Sequence, residues 1–155
     1  MDGNNRYAKK KNISKFNAYK LGAEKLVYLS NHIFSKYDVK YISAFALSSN
    51  NLKRSSNTLS QIIKVFSHFL NDKLSVKKIN YNIEFRGNLN FLPKTLIKKI
   101  NELKQNNKFN KSLIVYINYS GTDDILNAVK NSKNSKLSAF KKLLASKNIP
   151  DPDLL

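Results

Sequence analysis

The chain predicts an α/β fold in one domain spanning residues 1–155, with a mainly parallel sheet flanked by helices. Three observations lead there. Three short stretches are rich in β-branched, aromatic and apolar residues, the composition of strands. Stretches whose apolar residues recur at helical spacing alternate with them, and such alternation is the pattern of a parallel sheet. A length of 155 residues with 41% apolar content suits a single domain with its own core.

In order, the chain opens on Met1-Asp2-Gly3-Asn4-Asn5-Arg6-Tyr7, followed by Lys9-Lys10-Lys11. Ile13 and Phe16 lead into a helix expected from about Leu21, with Leu26, Leu29, Ile33 and Tyr37 on one face. Val39 to Leu47 (VKYISAFAL) is apolar on both parities and is expected to be a strand buried on both sides. The polar run Ser48-Ser49-Asn50-Asn51 follows, then Leu52-Lys53-Arg54. Ser56 or Asn57 caps a second helix, whose stripe of Leu59, Ile62, Ile63, Phe66, Phe69 and Leu70 reads as core or as the wall of an apolar pocket.

Ile79 to Arg86 is the second strand, stopped by Gly87-Asn88. Pro93 suits the first turn of a third helix bearing Leu96, Ile100 and Leu103. Ser112 to Tyr119 (SLIVYINY) is the third strand, and Ser120-Gly121-Thr122 turns it into a helix capped near Asp123. A Lys-Asn-Ser linker over Lys130 to Lys136 precedes a last helical stretch with Leu137, Phe140 and Leu144. Leu154-Leu155 at the end reads as the start of another buried strand.

The bulk chemistry excludes several classes. Cysteine is absent, so disulfides and thiolate chemistry are ruled out, and the two histidines, His32 and His68, lie in no zinc-ligand pattern. No apolar run reaches the length of a membrane span, and no signal-peptide pattern opens the chain, so a cytoplasmic protein is expected. The net charge of +18 would attract nucleic acid or anionic lipid. The lysines are nevertheless scattered and travel with abundant asparagine, which favours background composition over a selected nucleic-acid surface.

Ligands of open α/β sheets bind beyond the carboxyl ends of the strands. The polar clusters Ser48 to Asn51, Gly87-Asn88 and Asn118 to Gly121 fall there, and Asp2 to Arg6 would join them if a strand preceded Met1. The expected sheet is therefore incomplete, missing its first and last strands. The opening residues suit a diphosphate with its magnesium ion. Asp2 offers a hard oxygen ligand, Gly3 lets the backbone approach an anion, and Arg6 presents a forked donor. A frayed polar terminus has the same look, so the motif draws its meaning from the rest of the chain.

That remainder resembles the cis-prenyltransferases of the undecaprenyl diphosphate synthase family. MDGNNRYAKK at the start resembles the family's MDGNGRWAKK, and Ala46 to Arg54 (ALSSNNLKR) resembles AFSSENWKR. Asn118-Tyr119-Ser120-Gly121 resembles NYGG, and Ile149 to Leu155 (IPDPDLL) resembles LPDPDLL. Gly22 matches the glycine of HKxG, and all four glycines and all three prolines fall on family positions.

The resemblance implies condensation of isopentenyl diphosphate with an allylic diphosphate such as farnesyl diphosphate, toward a polyprenyl lipid carrier of the cell wall. It implies Mg2+ at Asp2 and allylic diphosphate held by Gly3, Asn4, Arg6, Tyr7 and Lys15. It also places Ser48, Ser49, Asn51 and Arg54 beside the reacting groups, with Asp2 and Asn51 as the catalytic pair and Leu47 and the Leu59 to Leu70 stripe as tunnel walls. No nucleic acid is expected as a partner, and peripheral contact with the inner membrane is compatible with the family.

Departures accompany the matches. The histidine of the family's GHK is Tyr19, a nearby arginine is Lys15, and the arginine after NYGG is Thr122. The Glu and Trp of ENWKR are Asn50 and Leu52, and a later Glu is Thr58. The family's RTSGE and RLSNF segments, which hold isopentenyl diphosphate, a second acidic ligand and part of a homodimer interface, would follow Leu155. The expectation is thus an incomplete enzyme domain with little activity and no assured dimer. The alternatives are a non-catalytic product of a split or decaying gene and a basic module for nucleic acid or a membrane surface.

Overall fold

The structure, a computed structural model, describes residues 3–49, 56–71, 79–105, 108–133 and 136–154. Asp2, Asn51 and Arg54 lie outside the described residues, as do Asn50 and Leu52. The elements in order are α1 (Asn4–Lys11), α2 (Lys15–Lys36), β1 (Tyr41–Ser48), α3 (Ser56–Asn71), β2 (Asn82–Arg86), α4 (Lys94–Gln105), β3 (Ser112–Tyr119), α5 (Gly121–Asn131) and α6 (Leu137–Lys141). The three strands form one parallel sheet in the order β1-β3-β2. The α/β class and the parallel sheet expected from the sequence are present.

β3 is central, and its alternating residues feed both faces. Leu113, Ile114 and Ile117 are almost wholly buried. Leu113, Val115 and Ile117 join Phe34, Leu47, Ile62, Tyr81 and Ile83 in one core between the sheet and α2 and α3. Leu92, Leu96 and Ile100 form a smaller cluster against Ile63, Phe66 and Phe85, which seats α4 beside β2.

Several local signals decide the boundaries. α2 starts at Lys15 rather than near Leu21, because the Ser14 hydroxyl accepts from the Asn17 N–H at 3.1 Å, an ordinary N-cap. Its far end is held by Lys111, whose Nζ donates to the Phe34 carbonyl at 2.6 Å. The Pro93 carbonyl accepts from Leu96 and Ile97, so the proline stands at the mouth of α4. α5 is capped by Ser120, not near Asp123 as the sequence predicts: Ser120 Oγ accepts from the Asp123 N–H at 3.3 Å. Asp123 and Asp124 therefore occupy the first turn, where negative charge complements the helix dipole.

β1 departs from the expectation of a strand buried on both sides. It pairs with β3 alone among the described residues, and Tyr41 and Phe45 are 41% and 48% exposed. A register shift between Phe45 and Leu47 leaves Ala46 out of the ladder. Such a bulge breaks the alternation of side chains, so that successive residues can face the same way. Ala46 and Leu47 do so, and both line the same cavity.

Candidate functional site

From Gly3 onward the opening motif is a helix start. Gly3 takes φ 84°, ψ −10°, a left-handed conformation that glycine adopts at little cost, and α1 begins at the next residue. The Gly3 carbonyl accepts from the Tyr7 N–H at 2.8 Å. The leading N–H groups of a helix have no acceptor within it and carry partial positive charge, which favours an anion. Gly3, the N-cap, brings no side chain of its own to that end, and no acidic residue lies within the first turn of α1 itself. A Cβ on Gly3 would come within 4.0 Å of Arg6 Nη2, so the guanidinium lies over the glycine at the same end. Lys9, Lys10 and Lys11 fill the last turn, the end that favours cations.

An apolar cavity of about 110 Å³ lies between α2, α3 and the sheet. Ala23, Leu26 and Val27 of α2, Ile62, Phe66 and Phe69 of α3, and Leu47 of β1 supply much of its wall. Of the expected stripe, Ile62, Phe66 and Phe69 face it, so the core reading and the pocket reading of that stripe hold together. Phe66 meets Phe85 edge to face at 5.7 Å. Tyr19 also lines the cavity, and its hydroxyl donates to Asn5 Oδ1 in α1 at 3.1 Å. The anion-favouring turn and the apolar cavity are thus joined through one tyrosine.

The strand ends build a second, mixed groove of about 880 Å³, lined by Ser49, Arg86, Asn88, Asn118, Asp124 and Lys147 among others. Gly87-Asn88 and Asn118, singled out in the sequence, meet here: Asn118 Nδ2 donates to the Asn88 carbonyl at 2.8 Å. Arg86 pairs with Glu84 at 2.8 Å and donates to the Ala145 and Lys147 carbonyls at 2.8 Å each. The Asp124 carboxylate accepts from the Ala145 N–H at 3.0 Å and from the Tyr119 hydroxyl at 3.1 Å. Burial and then the Asp124 charge push the Tyr119 phenol up to about 12, so it stays a donor to that carboxylate.

The predicted site residues are therefore distributed. Asn4, Arg6 and Tyr7 share the first turn of α1, Gly3 is its N-cap, and Ser48 ends β1 directly after the cavity-lining Leu47. Ser49 opens on the mixed groove, and Lys15 begins α2 and lines neither space. Three features of these spaces were not among the expected site residues: Asn5 as the partner of Tyr19, the inner face of α2, and the hold of Arg86 and Asp124 on the segment around Ala145. The α2 face was visible as Ala23, Leu26 and Val27 at helical spacing; that hold spans distant positions and left no local signal.

Among the described residues no group of three metal-ligating side chains comes together. One carboxylate with substrate phosphate oxygens is an ordinary donor set for magnesium, and Asp2, next to Gly3, would supply that carboxylate. No described helix is long and apolar enough to cross a membrane.

An anion-favouring helix start joined to an apolar cavity suits a small amphiphile with an anionic head, on a parallel α/β frame. The chain belongs to the undecaprenyl diphosphate synthase family, whose pattern it matches over residues 1–155. It is 33% identical to an isoprenyl transferase of Clostridium acetobutylicum, over 100% of this chain and 66% of that protein. It is 32% identical to the geranylgeranyl-diphosphate-specific tritrans,polycis-undecaprenyl-diphosphate synthase of Pyrobaculum aerophilum, over 98% of this chain and 69% of the other. The chain thus spans about two thirds of the length of these relatives. Its fold is similar to that of lavandulyl diphosphate synthase from Lavandula x intermedia, solved with dimethylallyl diphosphate, with a TM-score of 0.76 at 22% identity, covering 97% of this chain and 70% of that one.

Proposed function

We propose that the chain binds an allylic prenyl diphosphate, with the diphosphate at the first turn of α1 and the tail in the apolar cavity, as the donor half of an isoprenyl transferase. The observation that carries this is the Tyr19–Asn5 contact, which sets an anion-favouring helix end against a predominantly apolar wall. Backbone N–H groups of the first turn and the Arg6 fork hold the phosphate oxygens. Asp2 is the carboxylate assigned to magnesium, which when bound would neutralise charge on the departing diphosphate. The cavity keeps water from the tail and aligns its first carbons with the head. Ser48, Asn51 and Arg54 lie along the sequence that leaves β1, and they are assigned to the side where isopentenyl diphosphate attacks.

Turnover by the chain alone is expected to be low. Where the family motifs carry an imidazole and two arginines, this chain has Tyr19, Lys15 and Thr122. Lysine keeps the charge of arginine without its fork, and threonine keeps neither. The test is incubation with radiolabelled isopentenyl diphosphate, farnesyl diphosphate and magnesium, alongside equilibrium binding of farnesyl diphosphate. Binding with little long-chain product is expected. Efficient long-chain synthesis would contradict the low turnover, and absence of binding would contradict the site.

A further inference from the structure

We infer that Tyr19 is a positioning residue that couples the two ends of the bound prenyl diphosphate, so that filling the cavity fixes the turn that takes the diphosphate. This rests on the site proposed above and concerns how its halves communicate. Three observations lead to it.

The first is the contact itself. Tyr19 Oη donates to Asn5 Oδ1 at 3.1 Å in a partly buried setting, bridging α2 to the first turn of α1. The second is the composition of the cavity wall. Among the described lining residues, Tyr19 alone carries a polar side-chain atom; the rest are Ala, Val, Leu, Ile and Phe. The hydroxyl that could have stood unpaired over an apolar space is turned outward and satisfied by Asn5, which fixes the ring as part of the wall. The third is how α1 is anchored. Ala8 is the residue of α1 that is buried, a turn beyond the Gly3 end, and the Asn12 and Ile13 N–H groups close onto Ala8 and Lys9. The anion end therefore relies on contacts at its own level, and Tyr19–Asn5 is one.

A tail in the cavity packs on the Tyr19 ring and limits its motion. Through Asn5 that restraint passes to the turn bearing Asn4 and Arg6. Binding of one end then lowers the ordering cost of binding the other.

The experiment uses the full chain and three probes: inorganic pyrophosphate as head, farnesol as tail, and farnesyl diphosphate as both. Affinities are measured for the wild type, Tyr19→Phe, Asn5→Ala and the double variant. Phenylalanine keeps the ring and removes the donor. Farnesol should bind Tyr19→Phe within about twofold of the wild type, while pyrophosphate and farnesyl diphosphate weaken about three- to tenfold, the range of one net hydrogen bond. Asn5→Ala should reproduce the pattern, and the double variant should lose no more than either single, since both remove one contact.

Unchanged affinity for all three probes would overturn the inference. So would an equal loss that includes farnesol, which would mark a cavity defect, or additive losses in the double variant. Asn5→Ala leaves the cavity wall intact and carries the same test should Tyr19→Phe fail to fold. A wild type that binds neither pyrophosphate nor farnesyl diphosphate would instead refute the proposed site, and the coupling with it.

Discussion

Gly87 and Ile117 meet so closely that a Cβ on the glycine would lie 2.1 Å from the Ile117 carbonyl oxygen. Gly87 also has φ 111°, a conformation closed to ordinary L-residues. This contact lets β2 end directly against the central strand and brings Asn88 to Asn118. Gly87→Ala should cost about 3 kcal/mol or more, from backbone strain plus the displaced carbonyl, measured by urea denaturation. A loss below about 1 kcal/mol would show that the two strand ends separate freely.

Alkaline pH should weaken the fold through Tyr81. This residue is 3% exposed and packs against Phe34, with the ring centroids 4.7 Å apart and the planes tilted by 48°. Burial pushes its phenol from 10.0 up to about 12. Above pH 10.0 the unfolded chain releases a proton that the folded chain keeps, so stability is full below that pH and falls as pH rises toward 12. Lysine deprotonation over the same range relieves the +18 charge and acts in the opposite sense. The informative quantity is therefore the difference between wild type and Tyr81→Phe. The variant should lose stability less steeply across this window, and parallel curves would refute the assignment.

The cavity's size should select the tail. Phe66 stands in its wall against Phe85, and a smaller residue there enlarges the space. Phe66→Leu should cost about 1–2 kcal/mol of stability and shift preference from farnesol toward geranylgeraniol, measured by competition. An unchanged preference would place the tail elsewhere.

The segment around Ala145 is held from two sides, by Arg86 on its carbonyls and by Asp124 on its N–H. Asp124→Ala should speed amide hydrogen exchange at Ala145 by about tenfold, the loss of a charge-assisted bond, while leaving exchange in β3 unchanged. Equal exchange in wild type and variant would show that this segment is held by other contacts.

Much of this architecture can be read from residues alone. The three strands, the parallel sheet and helices α3 and α4 follow from composition and spacing, because each is specified locally. α1 was hidden, since its sequence, NNRYAKKK, has no apolar periodicity; a left-handed Gly3 and the contact with Tyr19 establish it instead. The outward exposure of Phe45 and the bulge at Ala46 depend on which strand becomes the edge, which composition does not encode. Tyr19 shows the same limit at the site. In sequence it is a departure from a family motif, and in space it joins the first turn of α1 to the apolar cavity.

The most direct test of that site is a pair of NMR titrations on the full chain. Inorganic pyrophosphate should shift the amide signals of Gly3, Asn4, Asn5 and Arg6 and leave the methyl groups of Leu47, Ile62 and Leu113 unmoved. Farnesyl diphosphate should shift both sets at one common affinity. Movement of the methyl groups without the α1 amides, or of neither set, would contradict a diphosphate at α1 with its tail in the cavity.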